Sequence, residues 1–322
     1  MTVTKSEPGD VRRDLGLGAP DPGLSAVMGE RRALFNLAYR LLGSVAEAED
    51  VVQETYARWY AMSREEQQSI GSPGGWLTRV ASRICLDQLG SARARRERYV
   101  GQWLPEPLPD REAWTSGWLG DTNVDPADRI TLDESVTMAF LVALESMTPA
   151  ERVVLVLHDV FCYSFAEVAE IVGRTPAACR QLASSARRRL RAARPTSTSI
   201  AHRARIVREF RQAWEARDID ALIGLLDPNA TATADGGGIV AAALQPIEGR
   251  EAIARHLLEL SRMATGLVLT ERTVNGQPGL VIEADNAALT VVAFDIAGDR
   301  IRRIWAVRNP EKLLAWTTGE AR

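Results

Sequence analysis

The 322-residue sequence predicts a multi-domain chain in which two all-α domains precede an α+β domain built on a curved sheet. Three observations predict it. From residue 31 to 194 apolar residues recur at helical spacing behind Ser/Thr-x-x-Glu capping boxes, and a stretch at 99–126 rich in Pro and Gly divides that region in two. Beyond about residue 226 the pattern changes to short strand-like runs separated by Asn-Gly and Gly-Asp turns. A hydrophobic content of 46% with 25% charged residues is ordinary soluble composition. The net charge of −3 excludes a uniformly basic coat, so contact with nucleic acid has to come from local clusters.

Residues 1–29 hold Gly, Pro and Asp without the apolar core of a signal peptide, and are expected to be a disordered tail. Residues 30–98 form the first helical domain. Arg31–Leu42 ends at Gly43. Ser44 with Glu47 then caps a helix to about Met62 that turns Ala48, Val52, Thr55 and Trp59 to one side. Asp50, Gln53 and Glu54 fall together on its outward side, either as a solvated acidic face or as carboxylates and an amide offered to a basic partner. Ser63–Gly75 is expected to be a loop. Trp76 opens a helix with Leu77, Val80, Ala81 and Ile84 inward and Arg79 and Arg83 outward, running into Arg93, Arg95, Arg96 and Arg98. Residues 99–126 form a linker that carries Trp103, Leu104, Pro105, Glu106 and Pro107.

The second helical domain, 127–194, contains two capped helices joined by a glycine turn. Ser164 and Glu167 make a capping box ahead of Phe165, Val168, Ala169 and Val172; Gly173 ends that helix, and Thr175 with Pro176 starts the next. Its inward stripe is expected to be Ala178, Leu182, Ala186 and Leu190. Arg180, Gln181, Ser184, Arg187 and Arg188 lie around the remaining surface, with Arg189, Arg191 and Arg194 beyond. This pair reads as a helix-turn-helix whose second helix places polar groups against base edges and arginines against phosphates; a solvated basic helix in an ordinary bundle is the alternative.

After a polar linker at 195–200, residues 201–322 form the α+β domain. Helices are expected near 201–216, 218–226 and 249–263, with strands near 230–234, 266–274, 279–285, 288–295 and 300–308 and the helices packed on one face of the sheet. Cys85, Cys162 and Cys179 form no C-x-x-C pair, His202 and His256 lack metal-ligand spacing, and neither a metal nor a cofactor is expected. No apolar run is long enough to span a membrane.

Taken in order, Asp50-Val-Val-Gln-Glu-Thr, Trp76-Leu-Thr-Arg-Val-Ala-Ser-Arg, the basic run at 93–98 and the helix-turn-helix resemble regions 2 and 4 of an extracytoplasmic-function sigma factor. Trp103-Leu-Pro-Glu-Pro107, Asp235-Gly236-Gly237-Gly238 and Asn309-Pro310-Glu-Lys-Leu313 resemble signatures of the sigma-J-like group, which carries a fused SnoaL-like (NTF2-like) domain. Ile239 stands where that group usually has a basic residue, and Glu311 where it has Asp. The resemblance implies a cytoplasmic, non-enzymatic protein. Its partners would be RNA polymerase core, met by Asp50, Gln53 and Glu54, and promoter DNA. Arg79, Arg83, Arg93, Arg95 and Arg96 would serve the −10 element; Thr175, Arg180, Gln181, Ser184, Arg187 and Arg188 would serve the −35 element.

The strip at 103–107, the loop at 235–238 and Asn309 with Pro310 would form an intramolecular regulatory junction, with no separate anti-sigma factor required by the sequence. The other reading is a helix-turn-helix regulator or an enzyme whose SnoaL-like cavity binds a small molecule, with Trp214, Asp235, His256 and Trp305 as candidate walls, acid and base.

Overall fold

The computed structural model describes residues 29–96, 99–109, 137–193, 199–263, 266–285 and 287–317, with side chains described to 91 in the first segment and to 190 in the third. Residues 1–28 of the expected 1–29 tail, the linker beyond Pro109, the side chains of Arg93, Arg95, Arg96 and Arg191, and Arg98 and Arg194 altogether, lie outside the described residues.

The first unit consists of α1 (Arg31–Leu42), α2 (Val45–Tyr60), α3 (Arg64–Ser69) and α4 (Pro73–Arg96). Gly43 closes α1 in the left-handed region at φ 73°, and Ser44 accepts the Glu47 N–H at the start of α2. The expected loop at 63–75 is in part helical. Ser63 and Glu66 form a complete capping box for α3, and α4 opens at Pro73, three residues before Trp76. None of the α3 residues is buried, so hydrophobic periodicity carries no trace of it.

Next come α5 (Met138–Glu145), α6 (Pro149–Leu155) with a π-helical turn at Val156–Val160, α7 (Phe165–Val172) and α8 (Pro176–Ala193). The boxes Thr148/Glu151 and Ser164/Glu167 are both complete, Gly173 is left-handed at φ 68°, and Thr175 Oγ1 accepts the Ala178 N–H. The stripe that α8 buries is Cys179, Ala183 and Ala186, so the expected stripe is rotated by about a residue, with Ala178, Leu182 and Leu190 at its margin. Small residues at the centre let α8 approach α6 closely. Ile171 joins Val168 and Ala169 on the buried side of α7.

The two helical units share one hydrophobic core. Leu37, Leu41, Val52, Leu77 and Ile84 belong to the same buried cluster as Leu144, Val153, Val156, Val168 and Ala183. Buried Arg152 ties them further: its Nη1 donates to the Leu41 carbonyl at 2.8 Å and to Glu145 at 2.7 Å. Leu41 belongs to the last turn of α1, where carbonyls lack helical partners. Arg40, also buried, lies over the Phe161 ring at 5.9 Å, and burial lowers its pKa to about 10.

The last unit is α9 (Ile200–Glu215), α10 (Ile219–Leu225), β1 (Leu226–Asp235), β2 (Ile247–Glu248), α11 (Arg250–Met263), β3 (Val268–Val274), β4 (Gln277–Ala284), β5 (Ala287–Ala297), β6 (Arg300–Val307), a 3₁₀ turn at Pro310–Lys312 and α12 (Leu314–Thr317). The sheet order is β2-β1-β6-β5-β4-β3. β3 to β6 form an antiparallel meander, whereas β1 runs parallel to β6. On one face Phe210, Trp214, Leu222, Ile253 and Leu257 from α9 to α11 cover Leu280, Val292, Phe294 and Ile304. The other face is covered as well: Val281, Val291, Ala293, Trp305 and Val307 pack against Leu104, Met138, Ala139 and Leu313. Helices on one face were expected; the second layer is α5 together with the linker strip.

Candidate functional site

The second face of the sheet places the interdomain strip. β1 ends at Asp235, which is fully buried and whose carboxylate accepts from four groups. Its Oδ1 takes the Tyr99 hydroxyl at 2.6 Å and the Gly237 N–H at 3.0 Å; its Oδ2 takes the Leu104 N–H at 2.9 Å and Lys312 Nζ at 2.7 Å. Lys312 Nζ also donates to the Leu104 carbonyl at 2.5 Å and lies 4.3 Å from the centre of the Trp103 ring. Asn309, the cap of the 3₁₀ turn, donates to the Tyr99 hydroxyl at 3.0 Å. The pKa of Tyr99 is raised, by burial first and then by its bond to Asp235.

Gly237 and Gly238, left-handed at φ 66° and 72°, admit close neighbours. A Cβ on Gly237 would stand 2.5 Å from Asn309 Nδ2, and one on Gly238 would stand 3.0 Å from Val100 Cβ; Gly236 faces the Val240 carbonyl. The glycines therefore approach Val100 and Asn309 rather than the 103–107 strip. Gly43 is the glycine that meets the strip, since a Cβ there would stand 2.9 Å from the Trp103 ring. Ile239 is exposed beside exposed Val100 and Leu244.

The other side of the strip rests on the first helical unit. The Glu106 N–H donates to the Gly43 carbonyl at 2.8 Å, and the Glu106 carboxylate accepts the Val45 N–H at 2.9 Å, capping α2 from outside its own segment. Buried Tyr39 donates its hydroxyl to the Glu106 carbonyl at 2.6 Å and accepts from Asn275 Nδ2 at 3.0 Å. Asn275, at φ 51° in the β3–β4 turn, bonds both the N–H and the carbonyl of Leu108. Burial pushes the Glu106 carboxyl up to about 7, against the Val45 N–H, which holds it down. Pro105 lies against Gly43, Trp316 donates to the Pro107 carbonyl at 2.9 Å, and Pro310 is exposed.

The surfaces facing outward are different in character. Asp50, Gln53 and Glu54 are exposed on α2, with Arg58 paired to Glu54 at 2.5 Å. Thr175, Arg180, Gln181, Ser184 and Arg188 are exposed at and beyond the start of α8, with Arg180 over the Phe165 ring at 5.8 Å. Arg187 is half-buried and gripped by Asp159 through Nε at 2.7 Å and Nη2 at 2.5 Å, and Arg189 donates to the Ser146 carbonyl. Arg79 and Arg83 are exposed and both turn toward α7.

The residues proposed to line one enzymatic cavity are not gathered. Trp214 sits on the helical face and donates to the Leu257 carbonyl and Ser261, whereas Trp305 and Asp235 belong to the opposite junction. The alternation of β6 puts Ile304 on the helix-covered face with Trp214 and turns Trp305 to the other. His202 contacts Asp299 at the surface.

A sigma-70 region 2 family model matches residues 27–95, and a sigma-70 region 4 model matches residues 137–190. The chain is 36% identical over 296 residues to the ECF RNA polymerase sigma factor SigJ of Mycobacterium tuberculosis, covering 88% of this chain and 90% of that one. It is 36% identical to the probable ECF RNA polymerase sigma factor SigI of the same organism, over 91% of this chain and 95% of the relative. The crystal structure of the M. tuberculosis extracytoplasmic function sigma factor SigJ superposes with a TM-score of 0.70 at 32% identity, covering 91% of this chain and 98% of that one.

Two outcomes test the junction. Asp235→Ala strands Lys312 in a buried site and is expected to destabilise the fold by about 3–5 kcal/mol, read as a lowered thermal midpoint. Even Asp235→Asn, which for a simple turn residue would matter little, should cost measurable stability because an amide nitrogen replaces one acceptor.

Glu106 is raised from 4.5 in an open chain to about 7 when buried. A raised carboxyl pKa stabilises the folded form fully below 4.5, and that contribution is lost as pH rises through about 7. Glu106→Gln keeps an acceptor for Val45 without the charge. The thermal midpoint of the wild type should therefore fall more steeply between pH 5 and 8 than that of the variant, and parallel curves would remove Glu106 as the source.

Proposed function

Because the chain belongs to the extracytoplasmic-function RNA polymerase sigma factors, proteins that bind polymerase core and direct it to promoters, we propose that its residues divide this work among three tethered units. Residues 30–98 bind core and open the −10 element; residues 127–194 read the −35 element; residues 201–322 set the relation between them, with 99–126 and 195–200 as connections. The observation that carries this division is the seating of the 99–109 strip between α1–α2 and the C-terminal sheet, through Glu106 on one side and Leu104 on the other.

Core polymerase meets Asp50, Gln53 and Glu54, whose exposure leaves them free of packing duties. Arg79, Arg83, Arg93, Arg95 and Arg96 follow the backbone of the −10 region. Thr175, Arg180, Gln181, Ser184 and Arg188 face the −35 groove; Arg187 reaches a phosphate by exchanging Asp159 for it. The strip, Asp235 to Gly238, Asn309 and Pro310 form the regulatory junction. In this reading the protein performs no covalent chemistry and works in the cytoplasm, where polymerase acts. It needs no separate anti-sigma factor, since its own C-terminal unit already occupies the strip. Among the described residues no helix is long and apolar enough to cross a membrane.

Asp50→Arg combined with Glu54→Arg should abolish co-purification with polymerase core while circular dichroism stays unchanged. Normal assembly of the double variant would remove this face from the proposal. Arg180→Ala should reduce transcription unequally among −35 variants, each good base contact being worth roughly 1–3 kcal/mol. Equal loss on every sequence would reassign Arg180 to phosphate.

A further inference from the structure

The arginines proposed for the −10 strand already have an acidic partner in the helix-turn-helix. Arg79 and Arg83 lie one turn apart on α4, and both reach Glu170, near the C-terminal end of α7. Arg79 Nη2 meets Glu170 Oε2 at 2.6 Å, and Arg83 Nη2 donates to the Glu170 main-chain carbonyl at 3.0 Å. That carbonyl is exposed to such a donor for a structural reason. The left-handed turn at Gly173 sends the Arg174 N–H to Ala169 instead of to Glu170, leaving an orphan acceptor at the negative end of the helix. A carboxylate and a carbonyl thus present two oxygens to two guanidinium groups, as a nucleic-acid backbone would.

We propose that Glu170 is a phosphate mimic that holds Arg79 and Arg83 away from single-stranded DNA, and so is a determinant of promoter binding in its own right. The proposal rests on the reading of Arg79 and Arg83 as DNA contacts. Placement is supplied by the core shared between the two helical units and by Arg152 on the Leu41 carbonyl, which together bring α7 against α4. The pair itself is open to water, with Arg79 45% and Glu170 61% exposed. An ion pair of that exposure is weak, so Glu170 competes with DNA rather than excluding it. Entry of a DNA strand exchanges one set of oxygens for another without uncovering apolar surface.

The test uses the full chain and a labelled 15-nucleotide single strand of mixed sequence, followed by fluorescence anisotropy at low salt. Glu170→Gln should tighten binding about two- to fivefold, the range expected for release of an exposed pair, and Glu170→Ala should do the same. Thermal midpoints should be unchanged, since Glu170 packs in no core. In an Arg79→Ala, Arg83→Ala background the gain from Glu170→Gln should vanish, because the released groups are no longer there. No gain in the wild-type background overturns the masking role alone. An equal gain in both backgrounds also overturns it, as the effect of removing one negative charge anywhere near the strand. If the two arginine substitutions leave the affinity of the Glu170→Gln chain unchanged, the reading of Arg79 and Arg83 as DNA contacts fails, and the masking role with it.

Discussion

The buried Asp235 carboxylate is the constraint on which the arrangement of the chain depends. A carboxylate has about four lone-pair positions, and all are occupied here by Tyr99, Gly237, Leu104 and Lys312. Two of those donors come from the linker and two from the C-terminal unit. Removing the charge from water costs several kcal/mol, which these bonds and the nearby ammonium offset. Because Asp235 ends β1 and Lys312 follows β6, the parallel pairing of those strands is what puts acid and base at one end of the sheet. The linker binds at that end, where Asp235 accepts its Leu104 N–H and Lys312 donates to its Leu104 carbonyl.

From the same junction the strip reaches the first helical unit. Glu106 caps α2, Tyr39 bonds the Glu106 carbonyl, and Asn275 of the β3–β4 turn bonds Tyr39 and Leu108. Three units therefore meet along about ten residues of chain. Pro105 and Pro107 suit this place, since a residue lacking an N–H leaves no donor unsatisfied when it is buried. Gly43 has two duties: it ends α1 in the left-handed region and leaves room for the Trp103 ring.

Most helices were legible because capping boxes and glycine stops are local chemistry, as at Ser164–Glu167 and Gly173. α3 was missed although Ser63-Arg-Glu-Glu66 is itself such a box, because its residues bury nothing and the helical period had no apolar residue to show. The buried stripe of α8 was misplaced by a residue because that helix is apolar at overlapping spacings, and only packing against α6 selects Cys179, Ala183 and Ala186. The second covered face of the sheet was not read from the sequence, although Val291-Val-Ala-Phe294 is apolar without a break where a half-solvated strand would alternate. In the junction, Asp235, the glycines and the Asn309–Leu313 run stood out in sequence, whereas Tyr99 did not, and neither the bonds of Lys312 nor those of Asn275, read only as a turn residue, could be foreseen. Their importance comes from partners more than seventy residues away, which no local pattern encodes.

The chemistry of the junction also decides what kind of hold it is. Asp235 and Lys312 both belong to the C-terminal unit, so withdrawing the linker would not separate the charges; it would hydrate them. What the linker would lose is the Tyr99 and Leu104 bonds to Asp235, the Lys312 bond to the Leu104 carbonyl and the Trp103 face over the ammonium. Each bond exchanged for water is worth about 0.5–1.5 kcal/mol, so these contacts together amount to a few kcal/mol, with burial of Leu104 adding to them. That is enough to fix the strip in the free protein.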